Sequence, residues 1–174
     1  MKDYIILHHT AFSRQKNPDQ FNQTNEYHRQ KWNFPSRRGF YGGYNYEISA
    51  SGKVRQFRDE DEETIGATGY NHNAIHICLD GNFDQEYPTW EQRTALKNLL
   101  ADVLSRHPVR WENIIPHRKV ANKSCYGTNL GDSYGRDLAV EFYTEKISFL
   151  RQLVIHLKDL LARKKLGKMD DGCL

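Results

Sequence analysis

The 174 residues carry 38% apolar and 27% charged side chains at a formal net charge of +3, a balance that fits one soluble domain and leaves no room for two comfortable ones. There is no low-complexity tract, no internal repeat and no run approaching a membrane span; the scattered cysteines Cys78, Cys125 and Cys173 argue against a disulfide framework. The start, Met1-Lys2-Asp3-Tyr4, lacks a basic n-region and a small-residue cleavage site, so the expected product is made in the cytoplasm without an export signal of its own.

In chain order, residues 3–8 read as a buried strand that runs into the adjacent pair His8-His9. Successive side chains on a strand face opposite ways. The two histidines therefore cannot both serve one site if the strand continues through them. Asn22 to Trp32 reads as a short helix with Phe21, Tyr27 and Trp32 available to pack, and "NFPSRRGFYGG" as a Pro/Gly loop. "YNYEIS" and "KVRQF", joined by Ala50-Ser51-Gly52, read as a hairpin, and "AIHICLD" as a further strand. Thr89 and Gln92 fit a capping box at the start of a helix, whose buried stripe is Leu96, Leu99, Leu100, Val103 and Leu104. "WENIIPH" reads as a short strand running into a loop. Strands and helices in this mixture predict an α/β fold, a single domain with a central mixed β-sheet flanked by helices.

The C-terminal part differs. Residues 146–168 hold seven Lys/Arg against one Asp, whereas residues 1–145 are close to neutral. Val140, Tyr143, Ile147, Leu150, Val154, Leu157 and Leu161 follow alternating steps of three and four, with Leu153 and Leu160 widening the stripe. An amphipathic basic helix is expected over 137–168, followed by a tail at 169–174. It can pack on its own domain, self-associate, or meet an anionic surface; Arg151, His156 and Lys158 exclude a membrane span.

The chemistry-bearing stretch is "IIPHRKVANKSCYG". His117 and Cys125 sit in one loop that can fold back and present both side chains to one point. Imidazole with thiolate suits zinc and does not suit magnesium or calcium. A catalytic zinc takes three protein ligands and leaves a fourth position open, and a histidine at the end of a neighbouring strand would complete that set. The residues alone leave alternatives: an inert buried thiol beside a loop-capping histidine, or a cysteine nucleophile with a histidine base. His72 and His76 read as non-ligands, His28 as a structural residue or a support for a ligand, and Cys78 as a small buried apolar residue.

"IILHHTA", "EYHRQKW", "GGYNYEIS", "GYNHNAIHICLDGNFDQEYPTWEQ" and "PHRKVANKSCYG", in this order and spacing, resemble the zinc-dependent N-acetylmuramoyl-L-alanine amidases of the type 2 superfamily, which includes phage endolysins and the peptidoglycan recognition proteins. The resemblance covers roughly residues 3–130, and "DGNFD" with the "NFPSRRGFYGG" insertion looks most like the phage and prophage members. It implies a catalytic domain at 1–136 with His8, His117 and Cys125 as Zn2+ ligands, Tyr44 and Lys123 as catalytic groups and Asn71 contacting the muramyl peptide. The implied reaction is hydrolysis of the amide between N-acetylmuramic acid and L-alanine in peptidoglycan, at the cell wall after holin-type release, with no nucleic-acid partner. A recognition module without catalysis and a muropeptide-recycling amidase are the alternatives. Two departures stand out. Gly66-Ala67-Thr68-Gly69-Tyr70-Asn71 is shorter than the usual stretch and lacks its histidine, which puts the substrate wall there in question. Cys125-Tyr126-Gly127 replaces Cys-Pro-Gly, which predicts a looser loop.

Overall fold

The computed structural model describes residues 2–170, with side chains through residue 161. In chain order the elements are β1 (Tyr4–His9), α1 (Phe21–Trp32), β2 (Tyr46–Ile48), β3 (Val54–Gln56), β4 (Ala74–Leu79), α2 (Trp90–Arg106), β5 (Ile114–Pro116) and α3 (Tyr134–Asp170), with single 3-10 turns at Trp111–Asn113 and His117–Lys119. The strands form one five-stranded sheet in the order β3-β2-β4-β1-β5. β1 pairs in parallel with β4 and β5, β2 pairs in parallel with β4, and the β2–β3 hairpin is antiparallel. The expected mixed α/β sheet is thus the observed one.

The near-continuous apolar runs of β1 and β4 follow from their central position, since parallel strands covered on both faces have no polar side to present. Ile5, Leu7, Ile77 and Leu79 pack on one face against Leu96, Leu100 and Val103 of α2, whereas Ile6, Ala74 and Ala67 form a smaller cluster on the other face. The capping box is present: Thr89 Oγ1 accepts from Gln92 N at 3.0 Å and Gln92 Oε1 accepts from Thr89 N at 3.1 Å. The Gln92 amide also donates to the carbonyls of Ile48 and Asp80. One side chain thereby starts α2 and ties it to the ends of β2 and β4.

α1 is held through Phe21, whose ring stacks on Phe57 at 4.0 Å between centroids. Its buried residues Phe21, Thr24 and His28 share one face. Tyr27 and Trp32, expected to pack, stay 47% and 39% exposed. They belong to an opening and not to the core.

The chain divides into a compact unit ending at Ala139 and a second unit beginning at Val140. The boundary lies at Ala139 because Leu138 and Ala139, in the first turns of α3, are buried in the main core. Residues 140–170 continue α3 as the second unit. Of the tail expected at 169–174, Met169 and Asp170 continue the helix and 171–174 lie outside the described residues. Among the described residues no helix is long and apolar enough to cross a membrane.

Candidate metal centre

β1 delivers the two histidines to opposite faces. His9, 5% exposed, accepts the Phe83 N–H at Nδ1 over 3.1 Å. His8, 1% exposed, turns to the other side, where its ring centroid lies 4.5 Å from that of His117 and its Nδ1 lies 3.7 Å from Cys125 Sγ. One ligand atom from each of His8, His117 and Cys125 falls within 4.8 Å of the others.

Topology explains the convergence. β5 pairs with β1 from Ile5–Ile114 to Leu7–Pro116, so the residue after β5 emerges beside the end of β1; that residue is His117. The 3-10 turn then reverses the chain, and the returning loop carries Cys125.

This loop is firmly held, contrary to the looseness expected from the missing proline. The Arg118 N–H donates to the Cys125 carbonyl at 2.5 Å. The Arg118 guanidinium donates to the carbonyls of Gly127 and Leu130 and pairs with Asp132. Tyr126, standing where the proline would be, is 1% exposed, lies under that guanidinium at 5.3 Å and donates its hydroxyl to the Gly131 carbonyl at 2.6 Å. Gly127 has φ +102, and a Cβ there would lie 2.4 Å from the Phe83 backbone, so the loop can close this tightly only with glycine. Packing and hydrogen bonds replace the stiffness of a ring.

His76 is not a member of the donor cluster, yet its Nδ1 lies 2.9 Å from His8 Nε2 and its side chain is completely buried. Gly66 makes the space, since a Cβ at that position would sit 2.2 Å from His76 Nδ1. With the bridging proton on His8 Nε2, the His8 Nδ1 lone pair is left facing Cys125, as a ligand requires. His28 supports a second wall. Its Nδ1 accepts the Gly43 N–H at 2.9 Å, and its ring meets those of Tyr44 and Trp32 at 5.3 and 4.6 Å.

The electrostatics of the centre are those of buried neutral donors. Burial, then the neighbouring imidazoles, hold His8 well below the usual histidine value. Burial, then Lys123, lowers His117 to about 4. Burial pushes the Cys125 thiol up to about 12, so a thiolate here requires a cation beside it. Two neutral imidazoles and one thiol facing a common point are a donor set that suits zinc. Tyr44, whose ring lies 4.8 Å from His8, has its phenol raised well above 10 by burial and by the nearby thiols of Cys78 and Cys125. Cys78 itself is fully buried.

A cleft of about 420 Å³ opens over the cluster, and Tyr44, Asn71, His117, Lys123 and Cys125 all line it. The shortened stretch still supplies a wall: Gly66, Ala67 and Thr68 line the cleft, and Asn71 Oδ1 accepts the Ala67 N–H at 3.0 Å to hold their turn. The opposite wall is Tyr27, Lys31 and Trp32 of α1, with the Lys31 ammonium 4.8 Å from the Trp32 ring centroid. Sequence reasoning missed this aromatic rim. The steps of three and four linking positions 24, 27, 28, 31 and 32 placed them on one helix face, and exposed aromatics on such a face signal contact.

Comparison with known proteins places this geometry. The family model Amidase_2, described as N-acetylmuramoyl-L-alanine amidase, matches residues 2–128. Peptidoglycan-recognition protein SC2 of Drosophila melanogaster is 30% identical over 132 residues, which cover 73% of this chain and 69% of the relative. The endolysin of Escherichia phage T7 is 35% identical over 89 residues, 48% of this chain and 57% of the phage protein. The solved structure of N-acetylmuramoyl-L-alanine amidase LysC from Clostridium intestinale URNW is similar with a TM-score of 0.65 at 26% identity, covering 82% of this chain and 85% of that one. With the matched region containing the whole donor cluster, the chain belongs to the N-acetylmuramoyl-L-alanine amidase family.

Proposed function

We propose that this protein uses zinc, held by His8, His117 and Cys125, to hydrolyse the amide between N-acetylmuramic acid and L-alanine in peptidoglycan. The observation that carries the reading is the meeting of these three donors within 4.8 Å at a cleft also lined by Tyr44 and Lys123. Zinc, when bound, supplies the Lewis acidity that activates water and polarises an amide carbonyl. Burial keeps the Tyr44 phenol protonated, so its hydroxyl donates a hydrogen bond to the oxyanion that develops on the scissile carbonyl. Lys123, exposed at the mouth, passes a proton to the departing alanine nitrogen. Asn71 and the Tyr27–Trp32 rim receive the muramyl peptide.

The similarity to the T7 endolysin supports a lytic phage or prophage role, with the wall reached after holin-type release. Retention of Cys125 favours cleavage over recognition alone. Digestion of purified sacculi tests the reading: new L-alanine amino groups appear without new reducing ends. A chelator and Cys125→Ala each abolish the release, and a thiol hydrolase would survive the chelator. Reducing ends without amines, or sacculus binding without amines, would overturn it.

A further inference from the structure

The turn after β4 carries a carboxylate that reaches across to the loop of Cys125. Asp84, the last residue of "DGNFD", accepts the Ser124 hydroxyl at Oδ2 over 2.9 Å and the Thr128 N–H at Oδ1 over 2.8 Å. Its two oxygens therefore grip the residue before Cys125 and the third residue after it. Hydrogen bonds to an ionised acceptor are the stronger kind. The same seam continues on either side: the Phe83 carbonyl accepts the Asn129 N–H at 3.0 Å, and the Glu86 carbonyl accepts the Asn129 side-chain amide at 3.2 Å.

The turn is itself fixed, as an anchor must be. Asn82 Oδ1 accepts the Asp84 N–H at 3.1 Å, and Glu86 Oε1 accepts the Asn82 N–H at 2.8 Å. Glu86 also pairs with Arg14 at 3.1 Å. The stretch it grips has little packing of its own, since Asn122, Lys123 and Ser124 are all exposed. Ser124 stands between Lys123 and Cys125, so fixing Ser124 sets the direction of the ammonium and the thiol together. Asp84 does not line the cleft; it acts on the site only through its partners. Groups behind a metal ligand set its aim, and a misplacement of about 1 Å at a reacting group costs about 10²-fold in rate. On the zinc amidase reading of this cleft, we infer that Asp84 is a positioning residue. Through Ser124 and Thr128 it sets Cys125 to meet the metal beside His8 and His117, and Lys123 to face the scissile amide.

Zinc affinity of the metal-free chain, read by competition with a chromogenic chelator, tests this without any substrate. Asp84→Ala should bind zinc about 10-fold more weakly, and its Ser124 and Cys125 amides should exchange hydrogen faster before metal is added. Asp84→Asn should restore both, because its Oδ1 still accepts from Thr128 and its amide donates to the Ser124 hydroxyl oxygen. Ser124→Ala should weaken zinc binding in the same direction, and Asp84→Ala/Ser124→Ala should lose no more than Asp84→Ala alone. On a soluble muramyl peptide at saturating zinc, Asp84→Ala should lower kcat about 10-fold and leave KM unchanged. A thermal midpoint that falls in Asp84→Ala while zinc affinity and kcat hold would make the residue purely structural and overturn the proposal. Failure of Asp84→Asn to restore zinc affinity, or losses that add in the double variant, would overturn it too. A wild-type chain that leaves muramyl peptide uncut would sink the amidase reading, and the zinc and exchange measurements would still decide the role of Asp84.

Discussion

His8 Nε2 and His76 Nδ1 lie 2.9 Å apart, so the residue aimed at the donor cluster from β1 is steered by a completely buried imidazole on the neighbouring strand β4. Supporting groups of this kind set the tautomer and direction of a ligating histidine. His76→Ala should weaken zinc binding by about 10- to 100-fold, read by competition with a chromogenic chelator. His76→Asn, which keeps an acceptor, should recover part of the loss. Equal affinity in wild type and His76→Ala would remove the steering role.

The adjacent pair in β1 makes an asymmetric prediction. His8→Ala should lose both zinc and amide hydrolysis. His9→Ala should keep the metal and lose stability, because it strands the buried Phe83 N–H at a cost of about 2 kcal/mol. Metal content and thermal denaturation of the two variants decide it, and reversed effects would mean that β1 presents the other face.

Tyr44→Phe should lower kcat roughly 10²- to 10³-fold, the usual loss for an oxyanion donor, with zinc content unchanged. Lys123→Ala should lower kcat about 10²-fold, and more for substrates with a poorer leaving amine. If both variants changed only KM, the two side chains would be binding groups and not partners in proton transfer.

His28 gives the protein an acid limit. Burial comes first, with Lys31 and Arg58 adding to it, in lowering its value from 6.5 to about 4. The folded state therefore prefers the neutral ring that accepts the Gly43 N–H. The unfolded chain takes up the proton first, so this stability is fully present above pH 6.5 and drains away as pH falls towards 4. The full loss is on the order of 3 kcal/mol. Denaturant midpoints of the zinc-free protein should fall through this window, and His28→Asn should flatten the fall. An unchanged slope would assign the acid sensitivity to other groups.

The sheet was legible because its central strands are apolar on both faces, and α2 because Thr89 and Gln92 announce its start. The donor set was partly legible: His117 and Cys125 share one loop, but only the resemblance selected His8 over His9. His76 was not legible as a support, because a histidine inside an apolar strand run carries no mark of the side chain opposite it. Nor was the grip of Arg118 on the Cys125 loop, which depends on carbonyls of Gly127 and Leu130 that only the folded turn brings within reach. Tyr27 and Trp32 read only as available to pack, because large aromatics on a helix look the same in sequence whether they pack inward or rim an opening.

The contact between His8 and Cys125 spans 117 residues, and β5, which delivers His117, is a three-residue strand bound to β1 alone. A metal shared by these donors would act as a clasp on the margin of the sheet, closing a loop of 117 residues as a covalent bridge does in secreted proteins. Stripping it should leave β4 and α2 protected against hydrogen exchange while the amides of Ile115 and the Cys125 loop open first. Metal supply would then set how long the protein survives as well as how fast it works.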